Sequence, residues 1–270
     1  MKSSLKTTLA KELGVSRGML YYKSKQEEKD WQTKCQIEEA LRENPSYGHK
    51  RLASHLRMNK KKVLRVMKKY GIKPYRRRGK KWKNAKSISE TFPNLLLTNS
   101  PSYPNRIWTS DFTYLQHKNK TVYVATVMDL WHKKIVGLSI LTNHSVQLTI
   151  NALLSALNAN QRPDIFHSDN DSEYDAKDFK TILKSLDIKI SRSKPGCPWE
   201  NGYQESFYGK FKIELGDPNR FKTLGELVSA VYQAIHYYNN DRIHTSLKCS
   251  PNQFALKYEI AKLNPSIMSV

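Results

Sequence analysis

From residue 107 onward the chain alternates apolar and polar positions in short runs. Ile107, Trp108, Phe112 and Tyr114 lie in a first strand-like run. Thr121 to Leu130 (Thr-Val-Tyr-Val-Ala-Thr-Val-Met-Asp-Leu) form a second, and Ile135 to Leu141 a third. Three β-rich runs with short connections predict an antiparallel meander. The period then changes. Residues 145–159 read as a helix, Asp164 to His167 as a short strand, 176–186 as a helix and 188–192 as another strand. Two long helical stretches follow, at about 199–215 and 223–239. The order βββαβαβαα predicts an α/β domain, a mixed sheet with helices on its faces.

The first hundred residues carry no such alternation. Residues 4–23 read as two short helices around a turn: Leu9, Leu13 and Leu20 supply an inner face, Gly14 permits the turn and Ser16 can cap the second helix. This spacing fits a helix-turn-helix, and equally a plain helical hairpin. Residues 31–72 hold a second helical unit. Ile37, Ala40 and Leu41 share one face, Pro45 and Gly48 punctuate, and Leu52, Leu56, Val63, Leu64 and Met67 continue at helical spacing. Asn59 is a candidate N-cap and Gly71 a candidate stop for its last helix. Residues 84–105 are polar and broken by Pro93, Pro101 and Pro104, a connection into the next domain. The expected division is 1–30 for a helix-turn-helix-like module, 31–75 for a second helical module, 76–105 for a basic linker and 106–265 for the α/β core.

Charge adds a partner to this outline. The 270 residues carry 46 Lys and Arg against 24 Asp and Glu, a formal net charge of +22. Residues 1–100 hold 26 basic and 8 acidic side chains, so most of the excess lies there. Residues 59–83 contain 13 Lys or Arg and no acid, interleaved with Tyr70, Tyr75 and Trp82. Mutual repulsion makes such a run unfavourable unless phosphates neutralise it. It reads as a linker that also tracks a DNA backbone, the alternative being a solvated flexible linker. Arg17, Lys60, Lys61, Arg65, Arg76, Arg77 and Arg78 are the candidate DNA contacts in this half. No basic amphipathic stretch with a broad apolar face and no long apolar run points to a membrane. Cys35, Cys197 and Cys249 are odd in number and in no metal-ligand spacing, which fits a reducing cytoplasm.

Three acids stand out by position. Asp111 lies in the first strand, Asp169 just past the fourth, and Glu205 in the first turns of the helix after Pro198, with 57 and 35 residues between them. A strand acid, an acid at the end of a neighbouring strand and a helix acid can converge at one sheet edge. There they repel one another unless cations sit among them. Oxygen-only ligands suit Mg²⁺ or Mn²⁺, and two such ions about 3.5–4 Å apart stabilise both the attacking and the leaving oxygen of a phosphoryl transfer. Asp129, Glu173, Asp175 and Glu200 read as loop or capping acids, and His167 and His244 as structural hydrogen bonders. Trp108 and Trp131 read as core or rim aromatics; Trp199 stays open between packing and stacking on DNA.

At these residues the chain resembles the bacterial insertion-sequence transposases related to retroviral integrases. Trp108-Thr109-Ser110-Asp111-Phe112-Thr113-Tyr114 matches that family's first-acid motif, His167-Ser168-Asp169 its second, and Asn201-Gly202 with Glu205-Ser206-Phe207 its third. The 35-residue gap is the family's spacing. Tyr238-Asn239, Arg242, His244, Leu247 and Pro251 resemble its C-terminal motif, and Asn44-Pro45-Ser46-Tyr47-Gly48-His49 a helical module that precedes its core. The resemblance implies a ribonuclease-H-like core in which Asp111, Asp169 and Glu205 are the catalytic, metal-binding acids. It implies cleavage of element ends and transfer of the freed 3′-hydroxyl to target DNA. It also implies a DNA contact at Lys212, seven residues after Glu205, with Lys210 beside it. A homo-oligomer on DNA, an upstream-frame partner protein and a cytoplasmic, nucleoid-associated site belong to the same expectation. Asp171 departs from the pattern, standing where the family commonly has Gly. The alternative function is a DNA-binding regulator of the element without strand transfer.

Overall fold

A computed structural model describes residues 8–12, 14–16, 18, 25–75, 91–194 and 196–263. The helix-turn-helix reading falls largely outside these residues, and Arg17, Arg76, Arg77, Arg78 and Trp82 lie outside them altogether. The chain divides into two compact units. One comprises Met1–Glu43 with Gly48–Lys73, the other Asn44–Tyr47 with Pro74–Val270.

The first unit is helical. Its elements are α1 (Gln26–Glu43), α2 (His49–His55) and α3 (Lys60–Lys69). Asn59 caps α3: its side-chain oxygen accepts from the Lys61 amide at 2.9 Å. Gly71 adopts a positive φ of 66° just past the helix end, a conformation that costs other residues more. Val63, Val66 and Met67 recur at three- and four-residue intervals and are buried, as are Ile37, Ala40 and Leu52, while Lys60, Lys61 and Lys62 face outward. Asp30 on α1 is fully buried and holds Arg65 in a two-pronged pair at 2.5 and 2.8 Å, with the Lys69 ammonium at 3.1 Å. The Arg65 guanidinium beside it holds the Asp30 carboxyl well below the usual carboxylate range.

In the second unit the alternation of the sequence becomes a sheet. Its strands are β1 (Ile107–His117), β2 (Lys120–Asp129), β3 (Lys134–Leu141), β4 (Ile165–Ser168) and β5 (Lys189–Arg192), in the spatial order β3-β2-β1-β4-β5. The meander β1-β2-β3 is antiparallel, and β4 and β5 add in parallel on the other side of β1. Helices α4 (Val146–Ala159), α5 (Ser172–Asp175), α6 (Lys177–Ser185), α7 (Gly202–Leu215), α8 (Leu224–Asn240) and α9 (Pro251–Leu263) surround it. The last of these, opened by Pro251 at its first position, was not anticipated from the pattern.

Successive strand residues point to opposite faces, so β1 feeds two cores. Ile107 and Leu115 pack with Phe207 and Phe211 of α7 and with Leu227 and Val231 of α8. Trp108 packs with Leu148 and Leu153 of α4 and with Phe166 and Phe179. On that second face α4 lies against β3 so closely that a Cβ added at Gly137 would stand 2.3 Å from the Ala152 carbonyl oxygen. Only glycine permits that approach. Among the described residues no helix is long and apolar enough to cross a membrane.

Candidate active site

The register of the sheet brings the first two acids together. Thr109 of β1 pairs in parallel with His167 of β4. Two residues past that pair, Asp111 continues β1 and Asp169 stands just beyond the end of β4, close enough for the Asp169 charge to act on Asp111. Asp111 is partly buried, and its carboxylate accepts from the Phe112 amide at 2.7 Å. Asp169 follows the last residue of β4 and accepts from the Asp171 amide at 3.2 Å. Burial first, and the neighbouring Asp169 charge second, push the Asp111 carboxyl well above the usual range. Burial, with Asp171 next, pushes Asp169 up to about 7, although Arg192 pulls the other way. Glu205, exposed on the first turn of α7, adds to the repulsion at Asp111 and is itself raised by desolvation.

Helix α7 is tied to β1 by polar side chains on one face. Thr109 donates to the Asn201 side-chain oxygen at 2.7 Å, and the Gln204 amide donates to the Thr109 carbonyl at 2.7 Å. The Tyr208 hydroxyl donates to the Asp111 carbonyl at 2.8 Å and lies 2.9 Å from the Thr126 hydroxyl. Asn201, Gln204 and Tyr208 are buried at spacings of three and four, so they share a stripe. That stripe fixes the rotation of α7 and with it the direction of Glu205. Sequence reading marked Asn201 as part of a motif but passed over Gln204 and Tyr208; their spacing was the available signal. Beneath Asp111, the Ser110 hydroxyl donates to the Thr126 carbonyl and meets the Tyr174 hydroxyl at 2.8 Å.

The other singled-out residues have structural partners. His167 is buried between the Ser191 and Ser193 hydroxyls at 2.8 and 3.1 Å, and burial lowers its pKa to about 4. Asp129 accepts from the Asn105 and Trp131 amides, and Glu200 from the Lys194 amide. Glu173 is buried and pairs with His144 at 3.0 Å. Lys212 lies seven residues after Glu205, about 20° short of two turns, so the two share a side of α7. Lys210, five residues on, is turned about 140° away. The Lys212 ammonium stands 5.1 Å from the Tyr114 ring centroid.

Among the described residues no three His, Cys, Asp or Glu side chains close around a single point as a finished ligand set. The donor chemistry at Asp111 and Asp169 nonetheless fits a hard divalent cation. Two carboxylates on adjacent strands resist ionising together, and they offer only oxygen.

Models of the integrase core domain match residues 101–198 and 186–251. The chain is 30% identical over 262 residues to a 31 kDa protein of insertion element IS600 from Shigella sonnei, covering 91% of this chain and 96% of that one. It is also 32% identical over 203 residues to the transposase of insertion sequence IS904 from Lactococcus lactis, covering 73% of this chain and 80% of that one. This chain belongs to the insertion-sequence transposases with an integrase core. Among solved structures, the simian T-cell lymphotropic virus intasome in complex with a PP2A regulatory subunit is similar in fold: the TM-score is 0.51 at 18% identity, covering 77% of this chain and 74% of that one. The matched span of this transposase, 101–251, contains all three acids and the stripe that orients α7.

Proposed function

We propose that this transposase cuts and joins DNA by two-metal phosphoryl transfer at Asp111, Asp169 and Glu205. Family membership makes the chain an enzyme acting on DNA. What supports the finer reading is that β1 and β4 pair in parallel just before Asp111 and Asp169, and that burial first, with nearby carboxylates next, raises both groups, so that they hold protons that cations would displace. Asp111 and Asp169, completed by Glu205, would hold two Mg²⁺ or Mn²⁺ ions, which when bound neutralise the phosphate and activate its oxygens. The chain's own residues do the positioning. The β1–β4 pairing would bring the first two acids together, and the buried stripe Asn201, Gln204 and Tyr208, which ties α7 to β1, would orient Glu205. Lys212 lies on the same side of α7 and meets the DNA strand that enters the site. The outward Lys60 and Lys61 of the helical unit bind phosphates, whereas Arg65 is engaged by Asp30. Assembly on two element ends, as a homo-oligomer or with an upstream-frame partner, belongs to the same proposal.

The test is cleavage and joining of labelled duplexes carrying the ends of the encoding element, in Mg²⁺, by the wild type and by Glu205→Gln. The wild type should release a 3′-hydroxyl end and join it to target DNA. The variant should bind the duplex as tightly and yield neither product. Tight binding by the wild type with no cleavage in Mg²⁺ or Mn²⁺ would overturn the assignment and leave a DNA-binding regulator.

A further inference from the structure

Beyond the three acids, β1 and α7 continue side by side and border an open cleft of about 580 Å³ in the catalytic unit. The buried Leu115 and Ile213 and the partly buried Pro218 give it an apolar lining. Tyr114, Tyr75 and Lys212 also line it. Both tyrosines are strongly exposed, 43% for Tyr114 and 62% for Tyr75, although each carries a large apolar ring. The volume is that of a site for a small organic ring system rather than for a folded partner.

The cleft's position relative to the acids follows from element geometry. Tyr114 is three residues past Asp111 along β1, about 10 Å at 3.3 Å per residue, and although that odd offset alternates faces, its ring lies 5.1 Å from the Lys212 ammonium of α7. Lys212 is seven residues past Glu205 along a helix, about 10.5 Å at 1.5 Å per residue. The two independent rises agree. DNA advances 3.4 Å per nucleotide along each strand, so the cleft lies about three nucleotides from the phosphate held at the acids.

We propose that this cleft is a nucleobase subsite. It takes one unpaired base of the element-end strand, about three nucleotides from the cleaved bond. The base stacks on the Tyr114 ring above the Leu115–Ile213 lining, Tyr75 covers its outer side, and the Lys212 ammonium pairs with the adjoining phosphate. The chemistry matches part by part: an aromatic face accepts any base, an apolar lining rewards its desolvation, and a cation at the rim meets the backbone. A base held in such a cleft must leave the duplex stack, so the subsite also separates the strands near the cut. Gln116, Asp217 and Asn219 also line the cleft and offer polar groups to the base edge beside the stacking face. This inference rests on the assignment of Asp111, Asp169 and Glu205 as the reacting centre, because its position is counted from them.

The experiment uses the full chain and element-end duplexes in which 2-aminopurine replaces one base at a time, one to six nucleotides from the cut on the transferred strand. Fluorescence and affinity are measured in EDTA for the wild type, Tyr114→Phe, Tyr114→Leu and Tyr75→Leu, and cleavage of the same duplexes is measured in Mg²⁺. The wild type should change the fluorescence at one or two adjacent positions centred near the third. Tyr114→Phe should keep that signal. Tyr114→Leu should lose it and bind the end about 5- to 100-fold more weakly, the range expected for one stacked base. Tyr75→Leu should weaken it. Circular dichroism of the leucine variants separates lost stacking from lost folding, and a folded Tyr114→Leu with unchanged signal and affinity would overturn the subsite. So would wild-type cleavage accompanied by no position-specific signal, a result that leaves the three acids in place. A localised, Tyr114-dependent signal without cleavage in any divalent metal would instead sink the acids and keep a base-binding cleft.

Discussion

Replacing Asp169 by Asn should stabilise the metal-free protein at high pH. The Asp169 carboxyl is pushed from an ordinary 3.8 up to about 7 by burial and by the neighbouring carboxylates. Its folded-state value lies above its unfolded one, so the folded chain holds the proton more tightly than the unfolded chain does. The stability linked to that proton is fully present below about pH 4 and is lost as pH rises to about 7. Each unit corresponds to about 1.36 kcal/mol, so an ionised Asp169 costs the metal-free fold on the order of 4 kcal/mol at pH 8 and under about 2 kcal/mol at pH 5. Asparagine retains the side-chain oxygen that accepts the Asp171 amide and carries no charge. Urea and thermal unfolding of wild type and Asp169→Asn in EDTA read the difference. At about 2–4 °C per kcal/mol for a unit of this size, the variant should melt about 8–16 °C higher at pH 8, and the gain should shrink by more than half at pH 5. Mg²⁺ should raise the wild type and move the variant little, because ligand binding to the folded state alone adds stability. Equal melting of the two proteins at pH 8 in EDTA, or the same gain at both pH values, would show a solvated Asp169 and refute the reasoning.

Two further outcomes follow from the packing around the site. Tyr208→Phe deletes the hydroxyl that meets the Asp111 carbonyl and Thr126, so it should cost about 1 kcal/mol in unfolding experiments and lower the cleavage rate while DNA affinity holds. Arg242 is almost fully buried and donates to Glu214 at 2.7 Å, and Ser46 donates to the same carboxylate oxygen at 2.6 Å. Arg242→Ala strands the Glu214 charge and should cost about 3–5 kcal/mol in urea unfolding, whereas Arg242→Met combined with Glu214→Leu should recover most of that loss.

Much of the catalytic unit was legible because its chemistry is local. Alternation marks a strand wherever one face is wet: β2 and β3 fall within a residue of the runs that announced them, and β1 begins where its run did and extends three residues further, to His117. Asn59 signalled a helix start because an Asx side chain reaches an amide two residues on, a contact that needs no tertiary structure. The acids were singled out by position, Asp111 in the first strand, Asp169 just past the fourth and Glu205 early in the helix after Pro198, and the elements lie where that reading put them. The helix of α9 was missed because its sequence mixes apolar and polar residues around its whole circumference, and only Pro251 is buried along it.

What stayed hidden depends on register and on distant partners. No local pattern states that β4 pairs with β1 in parallel, or that Thr109 faces His167, yet Asp111 and Asp169 each follow that pair by two residues. A slip of one residue would send one acid to the opposite face, so the site is as well specified as the burial of Trp108 and Phe166, its neighbours in the ladder. The same reasoning separates Lys60 from Arg65. Both sit in one basic run, and charge density treats them alike. Asp30, 35 residues away, pairs with Arg65 and Lys69, while Lys60, Lys61 and Lys62 face solvent. A buried carboxylate at Asp30 therefore divides the basic run into cations that tie α1 to α3 and cations whose charge faces solvent. Charge counting from the sequence sees the sum, and only the fold assigns the shares.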